Sequence, residues 1–232
     1  MTSWLLVGYH SFRTTYFHRL IQGAGRLMLE VENVGCVRGD RRLFSKVNFS
    51  LTPATFLQLT GPNGSGKTSL LRIICGLMAP EEGEIRWQGA NIRSLGEEYF
   101  TAIAYIGHRN GLKEELTSLE NLRISSGLAG IEVSRKEAYS VLGKMGLKGG
   151  ENLAARLLSE GQRRRSALAR LLTCRATLWV LDEVLTSLDK AAVTLMKSLI
   201  EEHLNKGGMA IIATHQELNL SASSFQRLEL AS

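Results

Sequence analysis

Phe56-Leu57-Gln58-Leu59, then Gly61-Pro62-Asn63-Gly64-Ser65-Gly66-Lys67-Thr68, then Ser69-Leu70-Leu71-Arg72-Ile73-Ile74 read in that order as an apolar strand, a glycine loop and a helix. Glycine permits backbone angles that a side chain forbids, so successive N–H groups can turn toward one phosphate at the positive end of the following helix. Lys67 is then placed to reach the β- and γ-phosphates of a nucleotide, and the Thr68 hydroxyl to hold Mg²⁺. A glycine-rich turn that binds nothing is the alternative. The strand before the loop and the helix after it argue against that reading.

Around this loop the chain has 232 residues, 44% hydrophobic and 22% charged, the profile of a globular protein with a substantial core. No run is long enough and apolar enough to cross a bilayer, so a membrane role would go through a partner. Cys36, Cys75 and Cys174 are scattered without CxxC or zinc spacing, which points to reduced, structural thiols. The formal charge is +6, and half of it comes from Arg13, Arg19 and Arg26 in an acid-free stretch of residues 1–27. A body that weakly basic gives no reason to expect nucleic acid. The first 27 residues have the composition of an organellar transit peptide. A short amphipathic extension, or sequence upstream of a true start at Met28, are the other readings. Met28 is favoured because strand alternation begins there.

Leu29 to Val34 alternates apolar and polar as a half-buried strand does, and Leu43 to Leu51 continues similarly, predicting an antiparallel pair. Glu84 to Trp87 and Ala102 to Ile106 read as further strands. Between Leu112 and Glu160 the pattern turns helical, with capping-box spacing at Thr117/Glu120 and Ser134/Glu137. Strand signals return at Leu178 to Leu181 and Met209 to Ala213, with an amphipathic helix over Lys190 to Asn205 between them. Strand, helix, strand in that order implies a parallel sheet.

Two further sites carry chemistry. Leu178-Trp179-Val180-Leu181-Asp182-Glu183 is an apolar strand ending in two carboxylates. Laid beside the strand that carries the loop, it would let Asp182 hold Mg²⁺ through water while Glu183 faces the γ-phosphate and polarises an attacking water. An acidic helix cap after a core strand is the plain alternative. The other site, Ser159-Glu160-Gly161-Gln162 ahead of Arg163-Arg164-Arg165, is a second anion site made of a hydroxyl, free N–H groups and a helix dipole. Two phosphate sites in one chain make sense if each nucleotide is shared between two subunits.

In these residues the chain resembles the nucleotide-binding domain of ATP-binding cassette transporters, from Met28 onward. The resemblance implies an α/β P-loop NTPase with a mostly parallel core sheet, an antiparallel β subdomain, and a helical subdomain over about 112–160 within a cassette domain of residues 28–232. Gly61 to Thr68, with Ser69, then corresponds to Walker A and Leu178 to Glu183 to Walker B, with Glu183 as catalytic base. Ser159, Glu160, Gly161 and Gln162 match the signature that contacts ATP across a dimer, and Thr186, Ser187, Leu188 and Asp189 match the D-loop. His215 corresponds to the switch histidine.

Three positions depart from the general pattern. The adenine-stacking aromatic falls at or beside Arg38, so a guanidinium plane would serve instead. The switch-loop glutamine is replaced by His108, and Val184 stands where proline is usual. Within the family, Gly107-His108-Arg109-Asn110-Gly111 and the run through Arg123 resemble the ATP-binding subunits of cytochrome c maturation haem exporters.

That resemblance implies an ATP hydrolase with ATP and Mg²⁺, working as a homodimer that sandwiches two ATP. It would couple ATP binding and hydrolysis to a multi-span membrane subunit and to release of a haem chaperone. Its place would be the cytoplasmic face of a bacterial inner membrane, or the matrix face of the mitochondrial one. An ATPase of another transporter, a soluble cassette acting on nucleic acid, and a scaffold without turnover are the competing readings.

Overall fold

The computed structural model describes residues 28–220 and 224–231; the extension expected over residues 1–27 lies outside them. Two sheets share the chain. Strands β1 (Leu29–Arg38), β2 (Arg41–Leu51), β4 (Glu82–Trp87) and β5 (Ala90–Asn91) form an antiparallel sheet in the order β2-β1-β4-β5. The core sheet is parallel, built from β3 (Thr55–Thr60), β6 (Ile103–Ile106), β7 (Leu178–Asp182), β8 (Met209–Ala213) and β9 (Ser224–Glu229) in the order β6-β7-β8-β3-β9.

This order corrects one expectation. The Asp182 strand is not beside the loop strand, because β8 lies between β7 and β3. The two sites still meet because helix α1 (Lys67–Ile74), which leaves the loop, packs back over β7. The connection leaving β3 thus carries Thr68 past one strand to the next.

Strands β7 and β8 are buried on both faces, so they read as continuous apolar runs whose alternate residues serve different layers. On β7, Leu178 and Val180 pack with α1 and the antiparallel sheet, while Trp179 and Leu181 pack with the helical layer. Met209 and Ile211 of β8 follow the first pattern, and Ala210 and Ile212 the second.

The helical layer holds α4 (Ser118–Leu128), α5 (Arg135–Lys144), α6 (Glu160–Leu168) and α7 (Lys190–Asn205). Thr117, Ser134 and Ser159 each close a full capping box, and Asp189 caps α7 through the Ala192 N–H. Short helices α2 (Ile92–Leu95) and α3 (Glu97–Ala102) precede β6 and were not legible in the sequence. They take Ala102 out of the strand expected there. Buried Asn121 binds the loop before α4: its amide accepts from Lys113 N–H and donates to the carbonyls of Lys113, Leu116 and Thr117.

All three cysteines are free. Burial, with the charge of Asp182 second, pushes the Cys75 thiol up to about 12. No helix among the described residues is long and apolar enough to cross a membrane.

Candidate nucleotide site

The loop from Gly61 to Gly66 leaves β3 with backbone that only glycine takes readily, φ being +143° at Gly61 and +100° at Gly66. A Cβ at Gly61 would stand 2.6 Å from the Leu230 carbonyl oxygen. No side chain caps α1, whereas α4, α5, α6 and α7 are all capped by side chains. The first-turn N–H groups of a helix have no intrahelical acceptor, so this end is left to an anion. Ser65 Oγ is buried beside it without a hydrogen-bond partner. The cleft has a volume of about 320 Å³, and Arg38, Asn63, Lys67, Thr68, Ser69 and Glu183 are among the residues lining it.

Lys67 is 6% exposed and folds back onto the loop. Its Nζ donates to the carbonyls of Gly61 at 2.7 Å and Pro62 at 3.1 Å. It also stands 3.9 Å from Glu183 Oε1, which in turn lies 3.6 Å from His215 Nε2. Glu183 takes a left-handed backbone, φ +51°, and its N–H donates to the Ala213 carbonyl. The His215 ring is 54% exposed, at the rim. Its loop is held from beneath by buried Gln58 on β3, whose amide donates to the Gln216 carbonyl at 3.0 Å.

Thr68 Oγ1 donates to Asp182 Oδ2 at 2.9 Å, so a hydroxyl and a carboxylate converge where α1 crosses β7. Burial holds the Asp182 carboxyl above its ordinary range; the Thr68 hydrogen bond opposes this, Glu183 adds to it, and His108 and Arg72 oppose it. An all-oxygen pair of this kind fits Mg²⁺, which takes one or two protein oxygens and completes its shell with water and phosphate. His108 faces Asp182 from the far side, lining a second recess of about 500 Å³ with Thr68, Arg72, Tyr105, Arg109 and Arg170.

Ser159 to Gln162 lie outside the lining of the loop cleft. The expected free hydroxyl and N–H of that segment are partly engaged. Ser159 Oγ accepts from the Gln162 N–H, and Gln162 Oε1 accepts from the Ser159 N–H. The hydroxyl hydrogen of Ser159 remains to donate. Ser187 donates to Glu160 Oε1 at 3.0 Å, joining the D-loop positions to the start of α6 within one protomer. Leu188 is half-buried and Asp189 caps α7. Val184 is fully buried.

Two residues were missed by sequence reasoning. Gln58 hides inside a strand buried on both faces. Arg164 sits in a triple arginine that reads as a solvated helix face or interface, yet it is 3% exposed. Its spacing to Ala167, Leu168 and Leu171, all buried, repeats the i, i+3, i+4, i+7 stripe of an inward helix face and was the available signal. Of the three arginines, Arg163 and Arg165 then remain to meet a polyanion.

A parallel core sheet, an uncapped loop-to-helix anion site and a carboxylate strand reached by α1 define a P-loop nucleotide-binding domain. The sequence matches the ABC transporter family over residues 44–186. The chain is 55% identical to the cytochrome c biogenesis ATP-binding export protein CcmA of Nitrosospira multiformis, covering 87% of this chain and 98% of that protein. Against the CcmA of Nitrosomonas europaea the identity is 53%, over 88% and 96% of the two chains. A dimeric post-hydrolysis structure of the ATP-binding cassette MJ0796, bound to ADP and Pi, superposes with a TM-score of 0.72 at 25% identity, over 81% of this chain and 88% of that one. The chain belongs to the CcmA family of cytochrome c biogenesis ATP-binding export proteins within the ABC transporters.

Proposed function

We propose that this chain is the ATP-hydrolysing subunit of a membrane export complex for cytochrome c biogenesis, of the haem exporter type, and that two copies close around two ATP molecules. The observation that carries the reading is the convergence of Lys67, Glu183 and His215 at the mouth of the loop, with Thr68 and Asp182 meeting below it.

ATP would bind with its phosphates on the N–H groups of residues 61–69 and with Lys67 released from the Gly61 and Pro62 carbonyls to the β- and γ-phosphates. Arg38, at the cleft edge, would lay its guanidinium plane against the base. Thr68 and Asp182 would hold Mg²⁺, directly and through water; when bound, the ion neutralises charge building on the phosphate oxygens.

Glu183 accepts a proton from the attacking water as its oxygen bonds to the γ-phosphorus and the bond to the bridging oxygen breaks, giving ADP and phosphate. His215 orients that water and the γ-phosphate, and His108 faces the same atoms from the switch loop. The far side of each nucleotide is closed by Ser159, Glu160, Gly161 and Gln162 of the other copy, with Ser187 to Asp189 crossing the seam. Because ATP binds the closed dimer better than the open one, it shifts the population toward closure, and hydrolysis releases it.

The membrane subunit would dock against the segment from His108 to Leu122, on the cytoplasmic face of the inner membrane. Family membership and the absence of a spanning helix among the described residues support a peripheral subunit.

Phosphate release by the complex purified with its membrane subunit tests the reading. Glu183→Gln is expected to keep ATP affinity, lose roughly 10²–10³-fold in turnover, and accumulate as an ATP-bound dimer. Wild-type turnover in that variant would overturn the assignment of the base.

A further inference from the structure

Arg164 takes no part in the chemistry above, yet six acceptors converge on its buried guanidinium. Nε donates to the Val184 carbonyl at 3.2 Å. Nη2 donates to the carbonyls of Asp182 at 3.3 Å and Glu183 at 3.2 Å. Nη1 donates to the carbonyls of Gly107 at 2.9 Å and His108 at 3.3 Å, and to Asn110 Oδ1 at 3.0 Å. One planar group therefore binds the end of β7, the switch loop and its own helix α6.

All six acceptors are neutral. Burial disfavours the charged guanidinium and Arg170 adds to this, while the charges of Asp182 and Glu160 oppose it, so a gain in stability is not what accounts for a buried arginine here. What the arginine supplies is fixed geometry. Glu183 holds a left-handed backbone, strained for a residue with a side chain, that persists only where its surroundings over-determine it. Its N–H is pinned by Ala213 on β8, and its carbonyl, with those on either side, is pinned by Arg164. The backbone of His108 is held by the same guanidinium.

Arg164 lies five residues along α6 from its cap at Ser159, about 7.5 Å of helix. A rigid helix of that length moves as one body, so displacement at the Ser159 end reaches Asp182 to Val184 and Gly107 to Asn110 together.

We propose that Arg164 is a positioning residue that sets Glu183 and His108 as one unit and ties both to the helix whose cap faces the other copy's nucleotide. This rests on the assignment of Glu183 as base. It makes engagement of Ser159 in one copy the event that aligns the base in that same copy. The two sites of a dimer are then coupled through each α6.

Steady-state ATP turnover and binding of a fluorescent ATP analogue, measured on the purified complex, test this with Arg164→Gln and Arg164→Lys, each alone and combined with Glu183→Gln. Arg164→Gln is expected to lower kcat roughly 10²-fold, the scale of a small misplacement of a reacting group, with analogue affinity within about threefold of wild type. Arg164→Lys should recover only part of this, since an ammonium cannot span a planar fork of acceptors. In the Glu183→Gln background, Arg164→Gln should cause no further loss, because both changes act through the same group.

Additive losses in the double variant, equal losses of binding and turnover, or an unchanged kcat would each overturn the proposal. Should Arg164→Gln not fold, Asn110→Ala removes one acceptor at a half-exposed site. It should show the same split at about two- to fivefold, and an unchanged kcat there overturns the proposal equally. A wild-type complex that does not hydrolyse ATP sinks the proposed function instead, and is told apart by the Glu183→Gln control.

Discussion

The side-chain amide of Gln58, buried in the strand that leads into the phosphate loop, donates to the backbone carbonyl of Gln216 at 3.0 Å. The strand that delivers the phosphate loop thereby also sets the height of the histidine that faces it, since Gln216 follows His215 directly.

Gln58→Leu keeps the volume of the side chain and removes the tether. A hydrogen bond of this kind contributes about 0.5–1.5 kcal/mol, and Gln216 itself belongs to an exposed bend. We expect a small loss of stability, unchanged ATP affinity and a turnover roughly fivefold lower, on the scale of that one bond. Equal turnover in the variant, measured by phosphate release, would show that the tether does not position His215.

Gly61→Ala places a methyl group 2.6 Å from the Leu230 carbonyl oxygen at a backbone angle of +143°. The backbone strain alone costs about 1–3 kcal/mol, and a domain of this size loses about 2–4 °C of Tm per kcal/mol. Thermal unfolding followed by circular dichroism should therefore fall by several degrees without nucleotide. A Tm equal to wild type would mean that the Leu230 segment yields freely.

His203 stacks on Trp179 with ring centroids 4.0 Å apart, and its Nε2 meets the Met209 carbonyl at 3.1 Å. Burial pulls its pKa below the usual 6.5, against the opposing pull of the Met209 and Thr177 carbonyls. With the folded value depressed, the unfolded chain takes up the proton first. The contribution is complete above pH 6.5 and is lost as pH falls from there toward the folded pKa. Urea unfolding at pH 7.5 and pH 5.5 should show this loss in the wild type and a smaller one in His203→Phe, which keeps the stack and cannot protonate. Identical pH slopes in the two proteins would remove His203 as the source.

The phosphate loop, both carboxylates and the two expected capping boxes were legible because each depends on neighbours a few residues away. The order of the core strands was not. Nothing in Leu178 to Asp182 or Met209 to Ala213 says which of two fully buried apolar strands lies next to β3. Strand β9 was missed because Ser224 to Glu229 alternates only weakly, being an edge strand with much of its surface exposed. Helices α2 and α3 are four and six residues long, below the length at which a periodic stripe can be read. Arg164 escaped because composition says that three arginines in a row belong in water, and only the buried stripe on α6 says otherwise.

Strand β9 pairs with β3 along its full length, and the Leu230 N–H donates to the Thr60 carbonyl just before the loop begins. The segment that closes the flank of the phosphate-binding strand is thus about 170 residues downstream of it, and leaves the ribosome long after it. A nascent chain carrying a complete phosphate loop would still have that strand exposed as a bare edge, open to pairing with another chain.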